Sequence, residues 1–309
     1  MPASIELVRA GHWLFATGVR GLASAELFRR IEAALAEAGS SLSRVARLDQ
    51  YYADFSCVPP YQAARKQAFR GRQVAPSTSV VVSRLRDSQV DLQLIAATSD
   101  SGYAPREVDT GLNRPDTSAY APCLRAGDLV FVAGQLARDA SGALAAHGVG
   151  AETRYIVERR LVPALHAAES ALDLVLKAQV YVSGEVGEFW KVWHEALPTT
   201  VIRVRHPAFL TREATVEINV IAAHRSARSR VRDIDGRARL LDGLLFVGGV
   251  NTLAEATEIF AAAGTDLSHV VRALFFHAAG EVSAAPAFPH TALEVQVGTT
   301  VDLWGYVPQ

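Results

Sequence analysis

One phrase recurs three times along the chain. Ala10-Gly11-His12-Trp13-Leu14-Phe15, closed by Gly18, returns as Ala126-Gly127-Asp128-Leu129-Val130-Phe131 with Gly134, and more loosely as Leu241-Asp242-Gly243-Leu244-Leu245-Phe246 with Gly249. Each copy reads as an apolar strand ending in glycine. A helical stretch follows, and then a second phrase: Gly39-Ser40-Ser41-Leu42-Ser43-Arg44-Val45, Glu169-Ser170-Ala171-Leu172-Asp173-Leu174-Val175, and Gly264-Thr265-Asp266-Leu267-Ser268-His269-Val270. Two signals in the same order at a period of roughly 100 to 115 residues mark three homologous units, each the size of a small domain rather than a solenoid turn.

Bulk properties exclude several classes of function. With 309 residues, half of them hydrophobic, and a formal charge of -1, the chain can bury a large core and has no electrostatic bias toward nucleic acid or acidic membranes. Cys57 and Cys123 are the only cysteines, which excludes a disulfide framework and a cysteine zinc site and suits a reducing compartment. The first residues carry no basic-then-apolar leader, and no apolar run approaches the ~20 residues of a membrane span, so a cytoplasmic location is expected. No histidine spacing suits a metal, and phosphate loops, nucleophile elbows and dinucleotide glycines are absent, so no cofactor is expected.

Turn-rich sequence from Thr98 to Ser118 and an arginine-rich stretch from His224 to Arg239, read as solvated linker, set the expected units at residues 1–105, 106–230 and 231–309. In the second, Gly127 to Gly134 reads as a buried strand and Glu152 to Ser170 as a helix. Leu174 to Val182 is then a strand, Val186 to Leu197 a second helix, and Thr200 to Arg205 and Thr215 to Ala222 close the sheet. The fold class is α+β, a mixed sheet with helices on one side. The first unit follows the same plan. The third is shorter, and between Ala278 and His290 the second helix is missing.

At this level of detail the second unit resembles the RidA/YjgF family of enamine and imine deaminases. The likeness rests on Tyr120-Ala121-Pro122 leading into Arg125-Ala126-Gly127-Asp128-Leu129-Val130-Phe131-Val132-Ala133-Gly134-Gln135, on Ala171-Leu172-Asp173-Leu174-Val175-Leu176-Lys177, and on Val216-Glu217-Ile218-Asn219-Val220-Ile221-Ala222. It thins in the first unit and is partial in the third. The resemblance implies a homotrimer-like architecture with clefts between subunits, so a chain with three copies is expected to fold as a covalent pseudo-trimer, alone or as a dimer of such rings, whose clefts are free to diverge.

What the resemblance implies for the site is mixed. The family arginine that grips a substrate carboxylate aligns with Ser77, Thr199 and His290, none of which carries a guanidinium. The water-orienting acid of the last strand aligns with Asp91, Glu217 and Asp302, the tyrosine before the first strand with Tyr120, and the glutamine after its glycine with Gln135. Losing a bidentate contact costs on the order of 2–5 kcal/mol of binding. Arg203 and Arg205, on the strand face of Thr199, are the expected substitutes. His290 and Asp302 form a possible proton-transfer pair in the third unit.

The implied reaction is hydrolysis of a small imine, enamine or related unsaturated nitrogen compound, with Glu217 and Tyr120 in catalytic roles, Arg203, Arg205, Thr199 and Gln135 in substrate binding, and no partner beyond that small molecule. A chorismatase-like enzyme on a tandem RidA-like scaffold and a non-catalytic metabolite-binding pseudo-trimer are the other readings. Cyanuric acid hydrolase and barbiturase need a serine-lysine pair in every unit, and the third unit has no lysine.

Overall fold

The computed structural model of the protein describes residues 5–85, 88–112, 120–193, 197–278, 288, 290–295 and 300–308. Each repeat forms its own sheet. Unit 1 holds β1 (Val8–Ala10), β2 (Trp13–Gly21), β3 (Val45–Tyr52), β4 (Ser77–Val81) and β5 (Val90–Ala97) in the order β1-β2-β5-β3-β4. Unit 2 holds β6 (Arg106–Glu107), β7 (Cys123–Ala126), β8 (Leu129–Gln135), β9 (Val175–Val182), β10 (Thr199–Arg203) and β11 (Val216–Ala223) in the order β10-β9-β11-β8-β7-β6. Unit 3 holds β12 (Arg232–Ile234), β13 (Ala238–Leu241), β14 (Leu244–Val250), β15 (Val270–His277), β16 (Thr291–Glu294) and β17 (Thr300–Tyr306) in the order β12-β13-β14-β17-β15-β16. In all three the penultimate strand runs parallel to its neighbour at the sheet edge, and the remaining pairs are antiparallel.

The shared glycine has a local cause. The first long strand of every unit slips register there, between Ala16 and Val19, between Val132 and Gln135, and between Val247 and Val250. A bulge of this kind bends the strand and re-aims its side chains, and bulges gather beside binding sites.

Helices cover the outer face of each sheet. Leu27, Phe28 and Ile31 of α1 (Ala25–Glu37) and Tyr61 of α2 (Val58–Ala68) seal unit 1. In unit 2, α3 (Val149–Ile156) and α4 (Val162–Ala167) are joined by one π turn over Val157–Leu161, and α5 (Val186–Trp190) adds Phe189. The helix read from Val186 to Leu197 thus ends as regular structure at Trp190, with residues 194–196 outside the described residues. Ile259 and Phe260 of α6 (Leu253–Ala262) cover unit 3. The stretch expected to lack a second helix falls largely on residues 279–287, which are also outside the described residues.

The inner faces of the three sheets pack on one another. Phe15, Phe131, Phe246 and Trp304 belong to one common cluster, and each fully buried aromatic of this size contributes roughly 1.5–3 kcal/mol. Tyr51, Tyr181 and Phe276 form a second, with ring centroids 6.4, 6.2 and 6.3 Å apart. A near-equilateral triangle of one residue from each unit marks a pseudo-threefold axis. Contacts around it are cyclic: β4 meets β8, β10 meets β14, and β16 meets β2. With both faces covered, every residue of β3, β5, β9 and β11 is buried, so a polar residue there needs a partner or a purpose.

The arginine run is not a loose linker. Arg225 pairs with Glu169, Arg228 with Asp173, and Arg230 with both Asp128 and Asp242, while β12 and β13 begin the third sheet inside it. Surface carboxylates of units 2 and 3 supply partners that sequence spacing does not show.

Candidate active site

The axis triangle fixes which residues are equivalent. Opposite Tyr51, Tyr181 and Phe276 on the last strands stand Asp91, Glu217 and Thr300. The third carboxylate expected at this place, Asp302, is two residues out of register: it faces Leu274 and matches Gln93 and Asn219. Positions two apart on a strand share a face, so alternation alone does not separate them. On the edge strands, Ser77 opposes Leu48 and Thr199 opposes Ala178, so the two are threefold mates.

Glu217 lies in the seam between units 1 and 2. Its side chain is 5% exposed, and the backbone N–H of Ser79 on β4 donates to its carboxyl. Gly134 makes room for it, since a Cβ there would collide with Oε1. The start of β11 is pinned by buried Glu152, which accepts from the N–H of Thr215 at 2.8 Å, from its hydroxyl at 2.7 Å and from the Val216 N–H at 3.1 Å. Burial pushes the Glu217 carboxyl up to about 8, against the opposing pull of the Ser79 N–H and the Arg138 guanidinium. Among the described residues it forms no salt bridge, so it is a neutral, buried acid at pH 7.

Two further predicted residues join this seam. Gln135 accepts from Arg160 Nε at 3.1 Å and donates to the Ala133 carbonyl at 3.0 Å. Tyr120 stands within electrostatic reach of two guanidinium groups, Arg65 on α2 of unit 1 and Arg160 in the π turn of unit 2. Both arginines are buried, and burial holds both below the ordinary arginine value. Arg138, half-buried, donates from Nε to Thr211 Oγ1 at 2.8 Å. The three arginines were not singled out from sequence. A readable signal existed for two: Arg160 follows Ile156 and Arg65 follows Tyr61 by four residues, on stripes otherwise filled by core residues.

The remaining candidates lie elsewhere. Thr199 belongs to the seam between units 2 and 3, where its hydroxyl accepts from Trp193 Nε1 at 2.8 Å and donates to the Leu197 carbonyl at 2.7 Å. Arg203 lines the same second seam, and Arg205 is exposed two residues past β10. The edge strand of each unit faces the next unit, so Thr199, Arg203 and Arg205 do not meet Glu217; Ser79 of unit 1 does. Asp91 is held by Arg20 Nε at 2.9 Å. His290 packs edge-on against Phe275, 5.3 Å between centroids, with Nδ1 3.2 Å from the Phe288 carbonyl, and makes no pair with Asp302.

Asp302 belongs to a buried network on the axis. The threefold mates Arg47, Lys177 and Arg272 meet only two acids there: Asp49 takes Arg47 at 2.7 Å and Arg272 at 2.8 Å, while Asp302 takes Arg272 at 3.2 Å and Lys177 at 3.0 Å. Asn219 donates to Thr78 Oγ1 at 2.9 Å and joins the same layer. These mutual ion pairs tie the three units together at the axis. Among the described residues no group of histidine, cysteine and carboxylate side chains is arranged to hold a metal, and no helix is long and apolar enough to cross a membrane.

The family model described as endoribonuclease L-PSP matches residues 111–224. No curated protein matches the chain. Among solved structures, a chorismatase crystal structure is similar over 72% of this chain and 78% of its own, at 13% identity and a TM-score of 0.58, a likeness of fold. A Mycobacterium tuberculosis protein, Rv2704, described as a member of the YjgF/YER057c/UK114 family, is 25% identical over 38% of this chain and 98% of its own, with a TM-score of 0.33. Yeast Mmf1 is 20% identical over 39% of this chain and 99% of its own, with a TM-score of 0.35. The chain is built of three tandem RidA-like units, and the central one is the part that the endoribonuclease L-PSP family model matches.

Proposed function

We propose that the seam between units 1 and 2 hydrolyses a small, unsaturated, carboxylate-bearing imine or enamine, with Glu217 as the proton-transfer group. The observation that carries this reading is a buried carboxyl, free of any described ion pair and lifted to about 8, within electrostatic reach of Arg138 and Arg47, with Arg65 and Arg160 gathered about Tyr120. A neutral acid among cations suits an anionic substrate that must be protonated. The guanidinium groups replace the missing family arginine at Ser77 and hold the substrate carboxylate beside Tyr120.

With an enamine, Glu217 gives its proton to the β-carbon as the C=C pair takes it up, leaving an iminium. The Glu217 carboxylate then accepts a proton from water as the water oxygen bonds to the iminium carbon. The hydroxyl proton of the carbinolamine passes to nitrogen, the C–N bond breaks, and ammonia leaves behind a carbonyl product. The first step uses a group that is proton-loaded at rest, which is what the raised pKa supplies.

A second reading is favoured by the likeness to chorismatase, which extends over most of the chain. The same neutral acid would protonate the enol-ether carbon of chorismate, water would add to the neighbouring carbon, and pyruvate would leave with a ring hydroxy acid as co-product. Purified protein incubated with imines and enamines generated by an amino acid oxidase, and separately with chorismate, decides between them. Ammonia release supports the first reading, and pyruvate with a dihydroxycyclohexadiene carboxylate the second. Turnover of neither, or turnover untouched by E217Q, overturns the role of this seam.

A further inference from the structure

The three hairpin turns at one end of the pseudo-threefold axis enclose a cavity that is distinct from the seams. Ala10-Gly11-His12, Ala126-Gly127-Asp128 and Leu241-Asp242-Gly243 are equivalent by register, and about 300 Å³ lies between them over a floor of Leu129, Leu241 and Leu244. Each gap between neighbouring turns is bridged by one side chain. Tyr103 lies against Gly127 and packs on His12 and Trp13, at 5.1 and 5.8 Å between centroids, which closes the gap between units 1 and 2. Arg230 reaches Asp128 and Asp242, both at 2.6 Å, across units 2 and 3. Tyr306 lies against Gly243, with its hydroxyl beside Gly11, across units 3 and 1.

Tyr103 and Arg230 come from the segments that join the units, so a ring of separate identical subunits could not build this asymmetric lining. Its charge is uneven: one guanidinium faces two carboxylates. Arg125, the other cation near Asp128, donates from Nε to the Gly127 carbonyl at 3.0 Å and stands outside the lining. Among the described residues, the second Asp242 oxygen and the hydroxyls of Tyr103 and Tyr306 make no hydrogen bond. At the turn position of Asp242 the other units carry Gly11 and Gly127, with φ of 50, 56 and 58° for the three, so a carboxylate is held where glycine is the easier choice.

We propose that this axial cavity binds a small primary ammonium compound with an apolar body. The ammonium group donates its N–H bonds to Asp242 and to the two phenol oxygens, its charge faces the rings of Trp13, Tyr103 and Tyr306, and the apolar body rests on the leucine floor. The excess carboxylate and the aromatic walls both favour a cation over an anion. The claim is independent of the reaction assigned to the first seam.

Titration calorimetry on the full chain at neutral pH, with benzylamine and with benzyl alcohol as its uncharged counterpart, tests it. Benzylamine binds, benzyl alcohol binds about 10-fold more weakly or worse, D242N and Y306L each weaken benzylamine about 10-fold or more, and E217Q leaves it unchanged. Equal affinity for benzyl alcohol, no benzylamine binding at millimolar concentration, or binding that E217Q abolishes and D242N leaves intact overturns the proposal, the last by moving benzylamine to the first seam. Should Y306L fail to fold, D242N carries the test, since asparagine accepts the left-handed backbone of this exposed turn residue.

Discussion

Gly134 and Glu217 share one volume: the side chain that residue 134 lacks would overlap the carboxyl oxygen that residue 217 places in the seam. The strand glycine that recurs through the sequence therefore has, in unit 2, a chemical consequence beyond its bulge. G134A is expected to displace the carboxyl and lower turnover about 100-fold or more, within the range of losing a positioned proton-transfer group. Steady-state kinetics with a circular dichroism check of folding measures it, and an alanine variant with full activity would show that the carboxyl position is irrelevant.

The raised Glu217 pKa gives a signed pH dependence. Its folded value, about 8, lies above the unfolded value of 4.5, so folding takes up a proton and its stabilising share is complete below about pH 4.5 and is lost as the pH rises to about 8. The melting temperature of wild type relative to E217Q should fall across that window. Turnover should decline above about pH 8 as the acid ionises. A difference between the two proteins that is flat with pH contradicts the assignment.

Arg160 is expected to act on binding rather than on proton transfer, because its guanidinium lies beside Tyr120 and Gln135 and not on the carboxyl. R160M should raise KM about 30-fold or more with a smaller change in kcat. The split is read from initial rates over a substrate series. A variant that lowers kcat alone would place Arg160 elsewhere in the mechanism.

The axis network should matter to stability and not to chemistry. D302A leaves Arg272 and Lys177 short of a buried counter-charge and is expected to cost about 3–5 kcal/mol. Urea unfolding reports the loss, and the folded fraction should keep its turnover. Were turnover to vanish at unchanged stability, the proton-transfer role first read for Asp302 would return.

Much of the architecture was legible because local signals repeat. The glycine-terminated strands, the helix after each and the apolar alternation all reappear as sheets with one connectivity. Glu217 was legible too, as an acid inside an apolar strand. What did not show was which unit it faces. Ser79 lies more than a hundred residues upstream, and only the cyclic packing of β4 on β8 brings the two together. The same physics hid Thr300, since a shift of two along β17 preserves every inward and outward assignment. Arg65 and Arg160 were hidden differently: each charge rides on a core stripe, where a long side chain passes for part of a solvated face until the neighbouring unit is in place.

Because the ring closes within one polypeptide, its three seams cannot separate on dilution. Specific activity should stay constant down to protein concentrations at which loosely held subunits would fall apart, since the local concentration of each unit about its neighbours is set by the connecting segments and not by the solution. A genetic change likewise reaches one seam at a time, so the three seams are free to diverge independently.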